Sequence, residues 1–348
     1  MLKFSTLLLA TIITYLASAQ PQSQKKVLLL MGSRFELTAI HENANLANAG
    51  IEAAIKEITR IEKLISSWDP NSQTSMVNRM AGVEAVKVDK ELFDLIKRAK
   101  KISGLTNGAF DISYASMDKI WKFDGTITKL PNEEEVKASV SKINYQDIIL
   151  NEEKLTVFLK NEGMKIGFGA IGKGYAANRG RKIMLDLGIK SGIVNAGGDL
   201  ITWGKETNGN DWSIAIADPK NKTHVLAWLT VGEMAVVTSG NYEKFIDING
   251  QRYSHIIDPV SGYPVKGLKS VTIICPDAEL ADALATSTFI LGKEKGLGLI
   301  NQLKGVEALL VDDNDNISTS SNLKLNYYEN NILQETINPT LTIGNEKN

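Results

Sequence analysis

The chain has a single cysteine, three histidines and almost no net charge in its 348 residues. A lone thiol cannot close an internal disulfide, so stability rests on the core even in an oxidising compartment. Cys275 lies in the apolar run Val271-Thr272-Ile273-Ile274-Cys275, which predicts a buried structural residue rather than a nucleophile. The 39 basic and 40 acidic side chains cancel, leaving no overall field to draw nucleic acid or an anionic membrane surface, and nucleic acid is set aside as a partner. The apolar run Leu7 to Leu16 is too short for a bilayer core of about 30 Å. With Lys3 ahead of it and Ala17-Ser18-Ala19 behind, it reads as a signal peptide over residues 1–19, with the mature chain starting near Gln20. No cysteine follows that run, which removes the lipoprotein route. The expectation is an exported, periplasmic protein, with membrane association left open.

What is present is ordinary globular material, 43 % apolar and 23 % charged, enough for one large domain or two joined lobes. Lys26 to Met31 reads as a buried strand. Ala47, Ile51, Ile55, Ile58, Ile61 and Ile65 recur at helical spacing. A second helix is framed by an N-cap at Asp89 and a stop at Gly104. Two apolar runs between Ile148 and Ile166 flank a polar link and predict a β-hairpin. A helix then starts near Gly174 and stops at Gly188, before a strand Gly192 to Asn195. Further strands are predicted at Trp212–Ile216, Val225–Val231, Tyr253–Ile257 and Ser270–Cys275, followed by a helix Ala278–Leu291. Helices in the minority between hairpins favour an α+β fold with largely antiparallel sheets and flanking helices over a βαβ succession. The domain is placed at residues 20–321, with 322–348 as a weakly ordered polar tail.

Several segments have the composition of a site. Gly167-Phe168-Gly169-Ala170-Ile171-Gly172-Lys173-Gly174 opens a helix, where backbone N–H groups and the helix dipole suit a phosphate. It matches G-x-G-x-x-G without the βαβ context of a dinucleotide fold, and G-x-x-x-x-G-K without the hydroxyl that would hold magnesium. A tight strand-to-helix turn with no ligand is the third reading. Asn195-Ala196-Gly197-Gly198-Asp199 and Thr238-Ser239-Gly240 read equally well as ligand contacts or as polar turns. His255 lies beside Asp258 ahead of a turn at Gly262 and is a candidate proton acceptor, with a satisfied structural histidine as the alternative. Asp282 and Thr286 share one face of their helix. They could hold a hard cation such as magnesium if phosphates complete its shell, or be an ordinary polar position.

Taken in order, these segments resemble the ApbE family of FAD:protein FMN transferases from about Met31 to Gly292. The likeness is carried by Met31-Gly32-Ser33, Ser66 to Ser72, Thr106 to Asp111, Gly167 to Gly174, Asn195 to Asp199, Thr238-Ser239-Gly240, Ser254 to Pro259 and Ala281 to Thr286. The resemblance implies a T-fold-related architecture, FAD as substrate and Mg2+ as cofactor. FMN would pass to a Ser or Thr hydroxyl of an acceptor redox protein, with release of AMP. It further implies that Met31, Trp68, Ala109, Phe110, Asp111, Lys173 and Ile257 line the FAD site, with Trp68 packing on the flavin. Ala170 (through its carbonyl), Asp282 and Thr286 would bind the metal, and His255 would activate the acceptor hydroxyl. Gly167 stands where the family commonly has an aspartate, which implies one side-chain contact fewer. Ala285 replaces a carboxylate that a family variant adds to the metal helix, which implies weaker metal binding. A plain FAD pyrophosphatase releasing free FMN and a non-catalytic FAD-binding protein are the alternatives.

Overall fold

The computed structural model describes residues 20–117, 120–123, 126, 129–242, 244–248, 251–329 and 332–336. The expected signal peptide, 1–19, lies outside them. The centre is an eight-stranded sheet, antiparallel throughout, in the order Gln22–Leu30, Ser33–His41, Ser191–Ala196, Asp199–Trp203, Ala235–Gly240, Leu268–Cys275, Glu307–Asp312 and Ile317–Thr319. This is the α+β architecture with antiparallel sheets that the sequence predicts.

Among the described residues six α-helices flank the sheets: α1 (Ala44–Ile65), α2 (Gln73–Arg79), α3 (Lys90–Leu105), α4 (Glu133–Val140), α5 (Gly172–Asp186) and α6 (Ala278–Ile300). Side-chain period 2 in the strands splits the core into two layers. Val237, Ile273 and Cys275 face α1, α5 and α6, whereas Val236 and Ile274 face a smaller sheet built on Trp212–Asp218 and Asn221–Val231. In α1, Ala47, Ile51, Ile58, Ile61 and Ile65 are buried, and the Asn43 side chain caps the helix by accepting from the Asn45 and Leu46 amides (2.9 and 3.2 Å). Burial pushes the Cys275 thiol up to about 12, which agrees with a structural role.

Four expectations are corrected in detail. The strand expected at Lys26–Met31 is Gln22–Leu30, an edge strand with Leu29 78 % exposed. The buried partner is the next strand, with Phe35, Leu37 and Ala39 inside; an apolar run alone does not distinguish a central strand from an edge. The strand expected through Ile257 ends at Ser254, after which Ile257 makes only an isolated bridge to Pro264. Helix α6 runs beyond Leu291, but Gly292 at φ 75° breaks its geometry where the expected helix stops. Part of the expected tail forms two strands, Leu325–Glu329 and Ile332–Thr336, that join the smaller sheet; residues 337–348 lie outside the described residues.

Candidate active site

One cavity of about 550 Å³ is lined by two central strands of the large sheet (Asp199 and Thr238–Gly240), by the start of α5, by α6 and by neighbouring loops. The size is that of a small-molecule site. Of the residues singled out in the sequence, Trp68, Ala109, Phe110, Asp111, Ala170, Lys173, His255, Ile257, Asp282 and Thr286 all line it. Met31 does not. Met31 and Gly32, at φ 50° and 71°, form the tight turn between the first two strands. The Met31 Cε lies 3.6 Å from where a β-carbon on Gly172 would stand, so it is close to the start of α5.

The glycine turn and the α6 carboxylate meet directly. The Gly174 amide in the first turn of α5 donates to Asp282 Oδ2 at 3.0 Å. A β-carbon on Gly174 would sit 2.0 Å from the Ala278 carbonyl oxygen, so only glycine lets α5 and α6 come this close. The first turn of α6 is fixed a second time, because the Ala278 amide donates to Asn178 Oδ1 at 3.0 Å, and a third time by the bidentate pair of Arg98 with Glu279 (2.7 and 3.0 Å).

Not every amide of the turn is available to a ligand. Gly167 donates to the Ile112 carbonyl, and Ile171 and Gly172 donate to that of Phe168. Among the described residues, the amides of Phe168, Gly169 and Ala170 find no acceptor. Helix α5 has no side-chain cap, its N-cap position being Ile171. The anion cradle is therefore three residues, 168–170, at the positive end of a helix dipole. At Gly167, a β-carbon would come within 3.0 Å of Ala115 Cβ, so an aspartate here would displace that wall.

The donors near Asp282 are hard oxygens. Asp282 is buried, Thr286 lies one helical turn on, and Ser239 Oγ stands 3.4 Å from Thr286 Oγ1. Among the described residues no group of three or more His, Cys, Asp or Glu gathers, so the set is one carboxylate with neutral oxygens. Such a set fits magnesium, which keeps waters and takes phosphate oxygens to complete six positions. Lys173, facing the same cavity, pairs with the buried Asp199.

Among the lining residues Trp68 is 79 % exposed, an apolar ring of a kind that a planar ligand would cover. Asp111 is occupied with its own chain. Its Oδ1 accepts from the Ser113 amide (2.7 Å) and hydroxyl (2.6 Å), and its Oδ2 from the Tyr145 amide (2.8 Å). Burial nevertheless pushes its carboxyl above the ordinary value. Asp111 thus shapes the wall more than it offers charge.

His255 projects from the end of the hairpin formed by Phe245–Ile248 and Gln251–Ser254. Its Nδ1 lies 3.0 Å from the Lys244 carbonyl. A carbonyl only accepts, so Nδ1 carries the proton and Nε2 keeps its lone pair. Burial is the first cause that lowers its pKa, and the nearby Lys244 and Lys173 charges act the same way against the Lys244 hydrogen bond. Lys244, a cavity residue, was not singled out by the sequence. The register Phe245↔Ser254 sets it opposite His255, but that register is visible only after the hairpin is known.

Residues 31–310 match the family model described as the ApbE family. The chain is 32 % identical over 301 residues to a protein of Klebsiella pneumoniae named FAD:protein FMN transferase, covering 86 % of this chain and 92 % of that one. It is 30 % identical to a protein of the same name from Treponema pallidum, covering 79 % and 81 %. Among solved structures, the ApbE protein of Thermotoga maritima superposes with a TM-score of 0.79 at 31 % identity, over 86 % of this chain and 97 % of that one.

Proposed function

The chain belongs to the ApbE family, and we propose that it moves the FMN half of FAD onto a Ser or Thr hydroxyl of an acceptor redox protein. Transferase activity is the reading that the relatives' shared name supports. The observation that carries it to this chain is the junction of α5 and α6. There the three open amides of 168–170 and the Asp282–Thr286 pair border one cavity, which His255 and Trp68 also line.

In this reading the FAD pyrophosphate lies along the start of α5, and the flavin reaches toward Trp68, Ala109, Phe110 and Ile257. Asp282, Thr286 and the Ala170 carbonyl are the residues that would hold magnesium, which supplies charge neutralisation on the diphosphate when bound. His255 Nε2 takes the proton from the acceptor hydroxyl. The hydroxyl oxygen forms a bond to the FMN phosphorus as the bond from that phosphorus to the bridging oxygen breaks. AMP departs with that oxygen, so one phosphoester is gained and one anhydride lost. Lys173, half-buried at the helix start, is placed to meet negative charge on the phosphates, with Asp199 holding its position.

The leader features at Lys3, Leu7–Leu16 and Ala17-Ser18-Ala19 support an exported, periplasmic protein, and the acceptor would then be met outside the cytoplasm. Among the described residues no helix is long and apolar enough to cross a membrane. The function is tested by incubating the protein with FAD, magnesium and a candidate acceptor domain and weighing the acceptor by mass spectrometry. An acceptor heavier by one FMN, with AMP in equal amount, is expected. Free FMN beside an unmodified acceptor would make the protein a pyrophosphatase, and no cleavage would make it a flavin-binding protein.

A further inference from the structure

A second cavity, of about 400 Å³, adjoins the first along the chain. Ser254 lines it while His255 lines the active site, and Asn241 lines it while Gly240 lines the active site. Its walls carry four cationic side chains, Lys220, Arg252, Lys266 and Lys269, against one carboxylate, Asp313. Asp315 adds a second carboxylate by pairing with Lys220 at 3.1 Å and with Lys269. Asp247, 3.9 Å from Arg252, adds a third carboxylate, and four positive charges less three negative leave a local +1 in a chain whose formal net charge is −1.

The two remaining cations are held in a way that keeps their donors usable. The Arg252 guanidinium carbon lies 3.8 Å from the centre of the Phe245 ring, and its nearest carboxylate, Asp247, is 3.9 Å away. The Lys266 ammonium lies 5.2 Å from the centre of the Tyr253 ring. A ring face attracts a cation without accepting its N–H bonds in the plane of a fork, so such an arginine still offers paired donors to a carboxylate. Both side chains are on exposed residues.

We propose that this basic cavity docks an acidic stretch of the acceptor protein, Asp or Glu residues lying within a few positions of the hydroxyl that receives FMN. The inference rests on the transfer reading. Gly240 and His255 line the first cavity and their chain neighbours Asn241 and Ser254 line the second, so a chain that presents its hydroxyl to His255 Nε2 has the basic cavity within reach of its flanking residues. The amides of 168–170 and the metal-ligand pair already account for the nucleotide phosphates, so the second charge centre faces the macromolecular substrate. Complementary charge at such a rim acts chiefly on encounter and weakly on the chemical step.

The test uses the mature protein, a fluorescent peptide with a central Thr flanked by Asp and Glu, and the same peptide with Asn and Gln in their place. Anisotropy without FAD reads docking alone. The acidic peptide should bind at least tenfold more tightly than the neutral one, lose that advantage at high salt, and lose it in the double variant Arg252→Gln, Lys266→Gln. That variant should bind FAD as tightly as the wild type, which shows that its active site is intact. With an acceptor domain that does not yet carry FMN as the substrate, the variant should raise KM about tenfold and leave kcat unchanged. Equal binding of the two peptides, or an unaltered double variant, would overturn the proposal, as would displacement of the acidic peptide by AMP at lower concentration than by unlabelled peptide. Selective docking without any FMN transfer would instead refute the transfer reading and leave the acidic-peptide site standing.

Discussion

Gly174→Ala tests the junction on which the site is built. The added methyl would stand 2.0 Å from the Ala278 carbonyl oxygen, 2.6 Å from its carbon and 2.8 Å from Asp282 Cβ. Two of those atoms are backbone, so no rotamer change relieves the clash. Restoring a C···O separation of about 3.3 Å would push α6 roughly 1.3 Å from α5. Overpacking of this kind costs about 1–3 kcal/mol, and stretching the Gly174 amide from a carboxylate loses a charge-assisted bond of about 1.5–3 kcal/mol. Together they should lower the melting temperature by roughly 5–10 °C for a domain of this size. The same movement displaces Asp282, and loss of a ligand's supporting hydrogen bond typically weakens metal affinity by about 10- to 100-fold. Thermal melts and magnesium titrations of FAD cleavage read the two effects separately. Gly169→Ala, whose β-carbon meets nothing within 4 Å, is the control and should melt with the wild type. A Gly174→Ala protein that melts with the wild type and needs no more magnesium would refute the reasoning.

His255→Ala should bind FAD as the wild type does and lose transfer by about 10²- to 10⁴-fold, the range of a general base; full activity would remove His255 from the chemistry. Because burial lowers the His255 pKa, the neutral base persists to lower pH, and kcat/KM should fall only below the ordinary value of 6.5; an acid limb above 6.5 would contradict this. Asp282→Ala should abolish the response of turnover to magnesium, measured by titration, while FAD cleavage that still saturates at the wild-type metal concentration would take Asp282 out of the site. Away from the site, the Arg60 hydrogen bond, aided by Arg179, holds the Glu57 carboxyl down at about 2 from an ordinary 4.5. A depressed carboxyl stabilises the fold fully above 4.5 and loses that contribution as pH falls toward 2. The urea midpoints of wild type and Glu57→Gln should therefore differ at pH 7 and converge between pH 4.5 and 2; a constant gap would show that the ion pair is not the cause.

Local patterns in the chain announced the parts whose causes are themselves local. The Ile51–Ile65 stripe and the Gly188 stop after α5 each follow from spacing or from a conformation that glycine adopts readily, and each is found in the structure. The site residues were legible because their segments together resemble a known family; singly, Asp282 or Thr238-Ser239-Gly240 reads equally well as ordinary polar surface. What stayed hidden depends on long-range register. Nothing near Lys244 indicates that its carbonyl orients His255, nor does anything near Gly174 indicate contact with a residue 108 positions later. Edge or centre is likewise a matter of sheet order, which is why the Lys26–Met31 run reads as a buried strand from the sequence alone. The Gly167–Gly174 run suggests a phosphate cradle without saying which amides serve it; Gly167, Ile171, Gly172 and Gly174 donate within the protein.

The most direct measurement is a crystal structure of the protein with FAD and magnesium bound. The account expects the metal between Asp282, Thr286 and the Ala170 carbonyl, the diphosphate on the amides of 168–170, and the isoalloxazine ring against Trp68. A diphosphate bound elsewhere, or a metal that leaves Asp282 untouched, would contradict it.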